Sequence, residues 1–116
     1  MKTEKPVFVQ IVEMIEDGIL AGTYGVDDMI ISTTQISKLL GVNPTTAVKA
    51  VSILADRGVV YKKRGLGMAV TQQAKDLILA QRKQQFYEDT LPELIDHAEK
   101  IGITRQELAQ IIIDKQ

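Results

Sequence analysis

Apolar residues recur at intervals of three and four near the start of the chain: Phe8, Ile11, Val12, Ile15 and Ile19, with Pro6 placed to suit a first helical turn. This spacing predicts an amphipathic helix of about 15 residues that stops near "AGTYG". The turn-rich stretch "GTYGVDDMI" then leads into "ISTTQISKLLG", where Ser32 and Gln35, three apart, form the pattern of a capping box. Ile36, Leu39 and Leu40 give this short second helix an apolar face, and Gly41 ends it. Asn43 offers the next N-cap and Pro44 the next first helical residue, since proline has no N–H to leave unsatisfied there. Ala47, Val48, Val51 and Leu54, with Ala50, make the inward stripe expected of a third helix, closed by Gly58.

Past Gly58 the period changes. "VVYKK" and "GMAVT" are short β-prone runs on either side of "RGLG", which predicts a two-stranded hairpin with glycines at its tip. Helical spacing returns from Gln72 in "QQAKDLILAQRKQQFYEDT", with Ala74, Leu77, Ile78, Phe86 and Tyr87. Pro92 interrupts it, and Thr90 with Glu93 predicts a second box opening a new helix with Leu91, Leu94, Ile95, Ala98 and Ile101 on one face and Gly102 as its stop. Thr104 with Glu107 predicts a third box ahead of Leu108, Ile111, Ile112 and Ile113. Neither a repeat nor a low-complexity tract interrupts the series. Helix, helix, helix, hairpin is the order of a winged helix-turn-helix, so the expected fold is mainly α, an α+β winged helix with a short C-terminal helical tail.

Composition narrows the function. A chain of 116 residues, 45% hydrophobic and 25% charged, suits one compact domain and a small helical appendage, which leaves no room for a large effector domain. Without cysteine there is neither a disulfide nor a thiolate metal site. No apolar run approaches a membrane span and the first ten residues lack signal-peptide features, so a cytoplasmic protein with no membrane partner is expected. The net charge of −1 hides a strong segregation. Residues 1–28 hold 2 Lys/Arg and 6 Asp/Glu, residues 29–71 hold 6 and 1, and residues 72–116 hold 6 and 8. A basic middle on an acidic chain is the footprint of a small DNA reader, whose affinity comes largely from releasing counterions from phosphates.

The third helix and the hairpin carry the candidate chemistry. A recognition helix enters the major groove N-terminus first, so its start must be fixed, and its first-turn N–H groups at the positive dipole end favour a phosphate. Thr45 and Thr46 can hydrogen-bond phosphate or a base edge, and Lys49, one turn on, can reach phosphate or guanine. In "KKRGLG", Lys62, Lys63 and Arg64 stand beside Gly65 and Gly67, which are small enough to lie close to a backbone or minor groove. His97 is the sole histidine, and although Glu93, Asp96 and Lys100 lie within a turn of it, no second His or Cys completes a metal set. "RGLG" also lacks the spacing of a phosphate-binding loop, so no metal, cofactor or catalytic role is expected.

Three stretches together, "PVFVQIVEMIEDGILAGTY", "GVNPTTAVKA" and "LADRGVVYKKRGLGMAV", with the short helical tail, give the chain a resemblance to the GntR-type bacterial transcription regulators, in particular their YtrA-like subgroup. The resemblance covers nearly the whole chain. It implies a dimeric DNA-binding repressor whose tail helices dimerise and which is often encoded beside transporter genes. By family position it implies DNA contacts at Thr46, Lys49, Arg64, Gly65 and Gly67, with Ser32, Thr34 and Thr45 secondary. Several residues depart from the family pattern: Ile31 stands where proline is usual and Thr34 where a DNA-contacting arginine is usual. Thr45, Ala47 and Ala69 replace the subgroup's Asn, Val and aromatic.

The tail is strongly apolar. Leu91, Leu94, Ile95, Ala98 and Ile101, then Leu108, Ile111 and Ile112, exceed what two short helices can bury by themselves, and Ile111, Ile112 and Ile113 point around most of a helix. Burial against a second copy is the expectation, which would also space two recognition helices for a pseudo-palindromic operator in double-stranded DNA. The expected domains are therefore a DNA-binding domain over 1–71 and a dimerisation tail over 72–116. A second reading stays open: a winged domain that has lost DNA affinity and serves as a protein-interaction module, suggested by Thr34 and the overall acidity. Any small-molecule effector is unspecified.

Overall fold

The computed structural model describes residues 5–115. In chain order the elements are α1 (Val7–Leu20), α2 (Thr33–Leu40), α3 (Pro44–Asp56), β1 (Val60–Lys63), β2 (Gly67–Val70), α4 (Ala74–Gln85), a π-helical turn (Phe86–Thr90), α5 (Leu91–Lys100) and α6 (Arg105–Asp114). The described chain divides into two compact units between Leu79 and Ala80.

In the first unit α1 and α2 both pack on α3. The core joins Ile11, Val12, Ile15 and Ile19 of α1, Ile36 of α2 and Ala47, Ala50, Val51 and Leu54 of α3 to Val59, Val60 and Val70 of the hairpin and to Ala74 and Ile78 of α4. The helical spacing of the sequence is thus the spacing of the core, with three corrections. Pro6 precedes α1 with φ −55° and ψ 151°, and its carbonyl accepts from Val9 and Gln10 at 3.1 and 3.2 Å. On α2, Leu39 and Leu40 are exposed by 71% and 43% while Ile36 alone is buried. They share its side of the helix but stand at the C-terminal end, where Gly41 turns the chain away. Val48 is 50% exposed, because it lies about 100° round the helix from Ala47, beyond the edge of the buried stripe.

The turn between α2 and α3 is tightly held. Gly41 takes a left-handed φ of 63°, the Ser37 hydroxyl donates to the Val42 carbonyl at 2.6 Å, and the Val42 N–H donates to the Ser37 carbonyl at 3.1 Å. Ser37→Ala removes the side-chain bond and is expected to cost about 1 kcal/mol, read as a lower urea midpoint at unchanged slope.

β1 and β2 pair antiparallel with Val60 opposite Val70 and Lys63 opposite Gly67. The segment read from sequence as a plain connection covers the other edge of β2. Asp27 N–H donates to Val70 O at 2.8 Å, Val70 N–H to Asp28 O at 3.0 Å and Ile30 N–H to Met68 O at 3.0 Å, and Met29 bridges Ala69. β2 is therefore bonded along both of its edges, to β1 and to residues 27–30.

In the second unit the expected box at Thr90 and Glu93 does not form. Thr90 is helical, with φ −67° and ψ −47° and no side-chain cap, and the chain runs through the π-turn into α5. The Leu91 N–H reaches back to the Phe86 carbonyl, and this wider turn takes up Pro92, which has no N–H and whose ring would crowd a regular helical carbonyl. Gly102, at φ 86°, ends α5 with Gly102 N–H on Glu99 O at 3.1 Å and Ile103 N–H on Ala98 O at 2.8 Å. The Thr104 box is present: its hydroxyl accepts from Glu107 N–H and its N–H donates to the Glu107 carboxylate, both at 3.1 Å. Ala98 is buried, Leu91, Ile95 and Leu108 are half-buried, and Leu94, Ile101, Ile111, Ile112 and Ile113 are exposed.

Candidate nucleic-acid interface

The start of α3 is fixed as its sequence dictates. Asn43 Oδ1 accepts from Thr45 N–H at 2.8 Å, and the Asn43 carbonyl accepts from Thr46 and Ala47 N–H at 2.9 and 3.3 Å. This corrects one expectation. Pro44 has no N–H and the next three donors are engaged by Asn43, so a phosphate at this end would meet the dipole and the threonine hydroxyls rather than open backbone donors. Thr45, Val48, Lys49 and Ser52 are exposed along the outward face, and Thr46 is half-buried.

α2 brings a second pair of hydroxyls. Ser32 Oγ accepts from Gln35 N–H at 3.1 Å, which leaves its own proton available to donate, and Thr34 is exposed two residues on.

The wing has two unlike faces. With period two, Tyr61 and Lys63 share one side of β1, and both reach Asp27: the Tyr61 hydroxyl donates to Oδ1 at 2.8 Å and Lys63 Nζ to the Asp27 carbonyl at 3.2 Å. Asp27 itself sits at φ 68°, a left-handed position that is uncommon outside glycine but that aspartate tolerates better than most residues. Lys62 lies on the other side of the strand and Arg64 at the tip, both exposed and without an ion pair or side-chain hydrogen bond among the described residues. Gly65, at φ 75°, is open at the tip, whereas Gly67, at φ 132°, has the Met29 methyl 2.7 Å from where a Cβ would stand. Gly67 therefore has a packing role beside the one the resemblance implies.

The hydrogen bond to the Asp27 carboxylate holds the Tyr61 phenol above its ordinary pKa of about 10. The fold favours the neutral phenol, so this tie contributes stability that is complete below that ordinary value and lost as pH rises through the raised one. An ultraviolet titration of phenolate absorbance is expected to show one tyrosine ionising late, and Asp27→Asn is expected to bring it back toward the ordinary range.

Structure also redistributes the basic middle of the chain. Of its six cations, Arg57 pairs with the buried Glu16 at 3.5 Å, Lys63 is on the Asp27 carbonyl, and the Lys49 ammonium lies 3.9 Å from the centroid of the Phe8 ring. Lys38, Lys62 and Arg64 keep their charge unengaged by the described residues. Lys49 stays solvent-accessible, but the ring steadies it by cation–π attraction. Sequence reasoning missed Asp27, Tyr61 and Phe8 as supports of this surface. Tyr61 could have been found, since strand alternation puts it with Lys63; the other two meet their partners only through tertiary packing.

Among the described residues no His, Cys, Asp or Glu group of three could hold a metal ion, and no helix is long and apolar enough to cross a membrane.

No protein-family model matches the chain. The HTH-type transcriptional repressor YtrA of Bacillus subtilis (strain 168) is 25% identical over 111 residues, spanning 96% of this chain and 85% of that protein. A GntR family transcriptional regulator from Listeria monocytogenes has a similar structure, with a TM-score of 0.73 at 27% identity and 100% of both chains covered. The DNA-binding domain of AraR in complex with operator ORR3 matches 61% of this chain and 86% of that chain, with 27% identity and a TM-score of 0.58. The similar proteins are transcription regulators, not enzymes.

Proposed function

We propose that the chain is a YtrA-like, DNA-binding transcription regulator of the GntR family, acting as a cytoplasmic homodimeric repressor on a pseudo-palindromic operator. The controlled operon lies near its own gene, and an ABC transporter operon is the kind that the resemblance suggests. The observation that carries this reading is the pairing of a rigidly started α3, hydroxyls at its entrance, with an anchored wing whose Lys62 and Arg64 are uncommitted.

Each candidate then has a task. Thr45 and Thr46 meet phosphate or base edge at the helix entrance, Lys49 adds a steadied charge one turn on, and Ser32 and Thr34 donate to the flanking backbone. Lys62 and Arg64 neutralise phosphates beside the wing, Lys63 sets its angle through Asp27, and Gly65 lets the tip approach closely. Residues 1–71 are the DNA-binding part and 72–116 the dimerisation part, with Ala74 and Ile78 also completing the core of the first unit. Leu94, Ile101, Ile111 and Ile112, with the half-buried Leu91, Ile95 and Leu108, supply the dimer contact, whereas Ala98, expected among them, is already buried within its own chain and supports the face from beneath.

A salt titration of binding to the DNA upstream of the gene tests this. Affinity is expected to fall steeply with salt, and Lys62→Ala and Arg64→Ala are each expected to weaken binding and to lower the slope of log K against log salt by about 1. Lys49→Ala should weaken it as well. Binding indifferent to salt and to all three substitutions would reject the proposal.

A further inference from the structure

Past Pro44 at its first position, the outward face of α3 is polar except at Val48. Thr45, Lys49 and Ser52 are exposed, and Val48 stands among them with half of its surface in water. Thr45 is three residues before it and Ser52 four after, so helical spacing sets the three side by side. The inward stripe is already complete with Ala47, Ala50, Val51 and Leu54.

A lone exposed valine is ordinary on a general surface. On a helix that enters the major groove, however, the outward side chains are those that meet base edges. Among the edges displayed there, the apolar feature is the C5 methyl of thymine, while guanine, adenine and cytosine offer hydrogen-bonding groups. Valine brings two methyls and no hydrogen-bonding atom, and its branched Cβ holds one rotamer in a helix, so the contact is preorganised. Against a guanine or adenine edge it would displace water without replacing the hydrogen bonds, which penalises those bases.

We propose that Val48 is a specificity-determining residue that packs against the C5 methyl of one thymine in each half-site. This rests on α3 being the helix that enters the major groove.

The test uses the full chain and an operator located by footprinting or selected from a random duplex pool. Each thymine of the half-sites is replaced in turn by deoxyuridine, which removes the methyl and leaves base pairing intact. The parent chain is expected to lose about four-fold in affinity per methyl at one thymine of each half-site and little at the others. Val48→Ala is expected to bind the thymine and deoxyuridine duplexes equally at that position. Alanine suits a helix surface, and an unchanged circular dichroism spectrum confirms the fold. Indifference of the parent chain to loss of every methyl overturns the proposal, as does a Val48→Ala variant that still discriminates to the same degree. If duplex binding is absent, or insensitive to salt, to Lys62→Ala and to Arg64→Ala, the reading of α3 as the groove helix falls and Val48 with it. That result is distinct from salt-dependent binding that ignores the methyl.

Discussion

Sedimentation velocity on a Leu94→Asp, Ile112→Asp double variant is expected to give a monomer where the parent chain gives a dimer, with operator affinity lower by about a hundred-fold or more. Leu94 and Ile112 are 45% and 59% exposed, and Ile101, Ile111 and Ile113 are exposed with them. Two short helices have no interior large enough for so many branched side chains, and an apolar surface of this kind is most simply removed from water by a second copy. A carboxylate at either position would have to be desolvated without a partner, which opposes association strongly. The affinity loss follows from geometry. Once one recognition helix is bound, a linked second one meets its half-site at high effective concentration, and a monomer forfeits that advantage. A variant that remains dimeric, or a parent chain that is monomeric at the concentrations of operator binding, would reject this assignment of the tail.

Arg57→Ala is expected to destabilise the first unit by roughly 1–2 kcal/mol, more than an exposed ion pair of the same length would cost. The excess comes from burial. The Glu16 side chain is 3% exposed and that of Arg57 41%, with 3.5 Å between them. Removing the guanidinium takes one of its partners from a carboxylate that water can hardly reach. Arg57 also occupies the C-cap of α3, where a positive charge suits the carbonyl end of the helix, so its loss is felt twice. The cost stays below the roughly 3–5 kcal/mol of a fully enclosed pair because Arg57 is partly solvated already. Urea denaturation curves decide it: an Arg57→Ala midpoint equal to that of the parent chain would show that the enclosed carboxylate does not depend on this pair.

Local rules made much of this fold legible. The boxes at Ser32 and Thr104, the Asn43–Pro44 start and the glycine stops at Gly41, Gly58 and Gly102 are sequence-local devices, since each satisfies backbone groups within a few residues of itself. The hairpin was equally legible, because strand alternation and tip glycines are short-range signals. Where the local rule met a competitor it failed. Thr90 and Glu93 have the letters of a box, but the π-turn before Pro92 offers a continuous helix that keeps the backbone bonded, and the cap is bypassed. Val48 has the apolarity of a core residue, yet the stripe beside it was already full.

By itself, then, the sequence determined the order of elements, where α2, α3 and α6 begin, and the clustering of positive charge between residues 29 and 71. These depend on bonds and spacings that span one or two helical turns or a single hairpin. Only the tertiary structure decided which of those charges remain uncommitted. Glu16 takes up Arg57, Asp27 takes up Lys63 and Phe8 steadies Lys49, each across a separation in the chain that no local pattern encodes. It also decided that Val48 faces outward and that residues 27–30 close the edge of β2, because a position round a helix acquires an inside and an outside only when another element is packed against it.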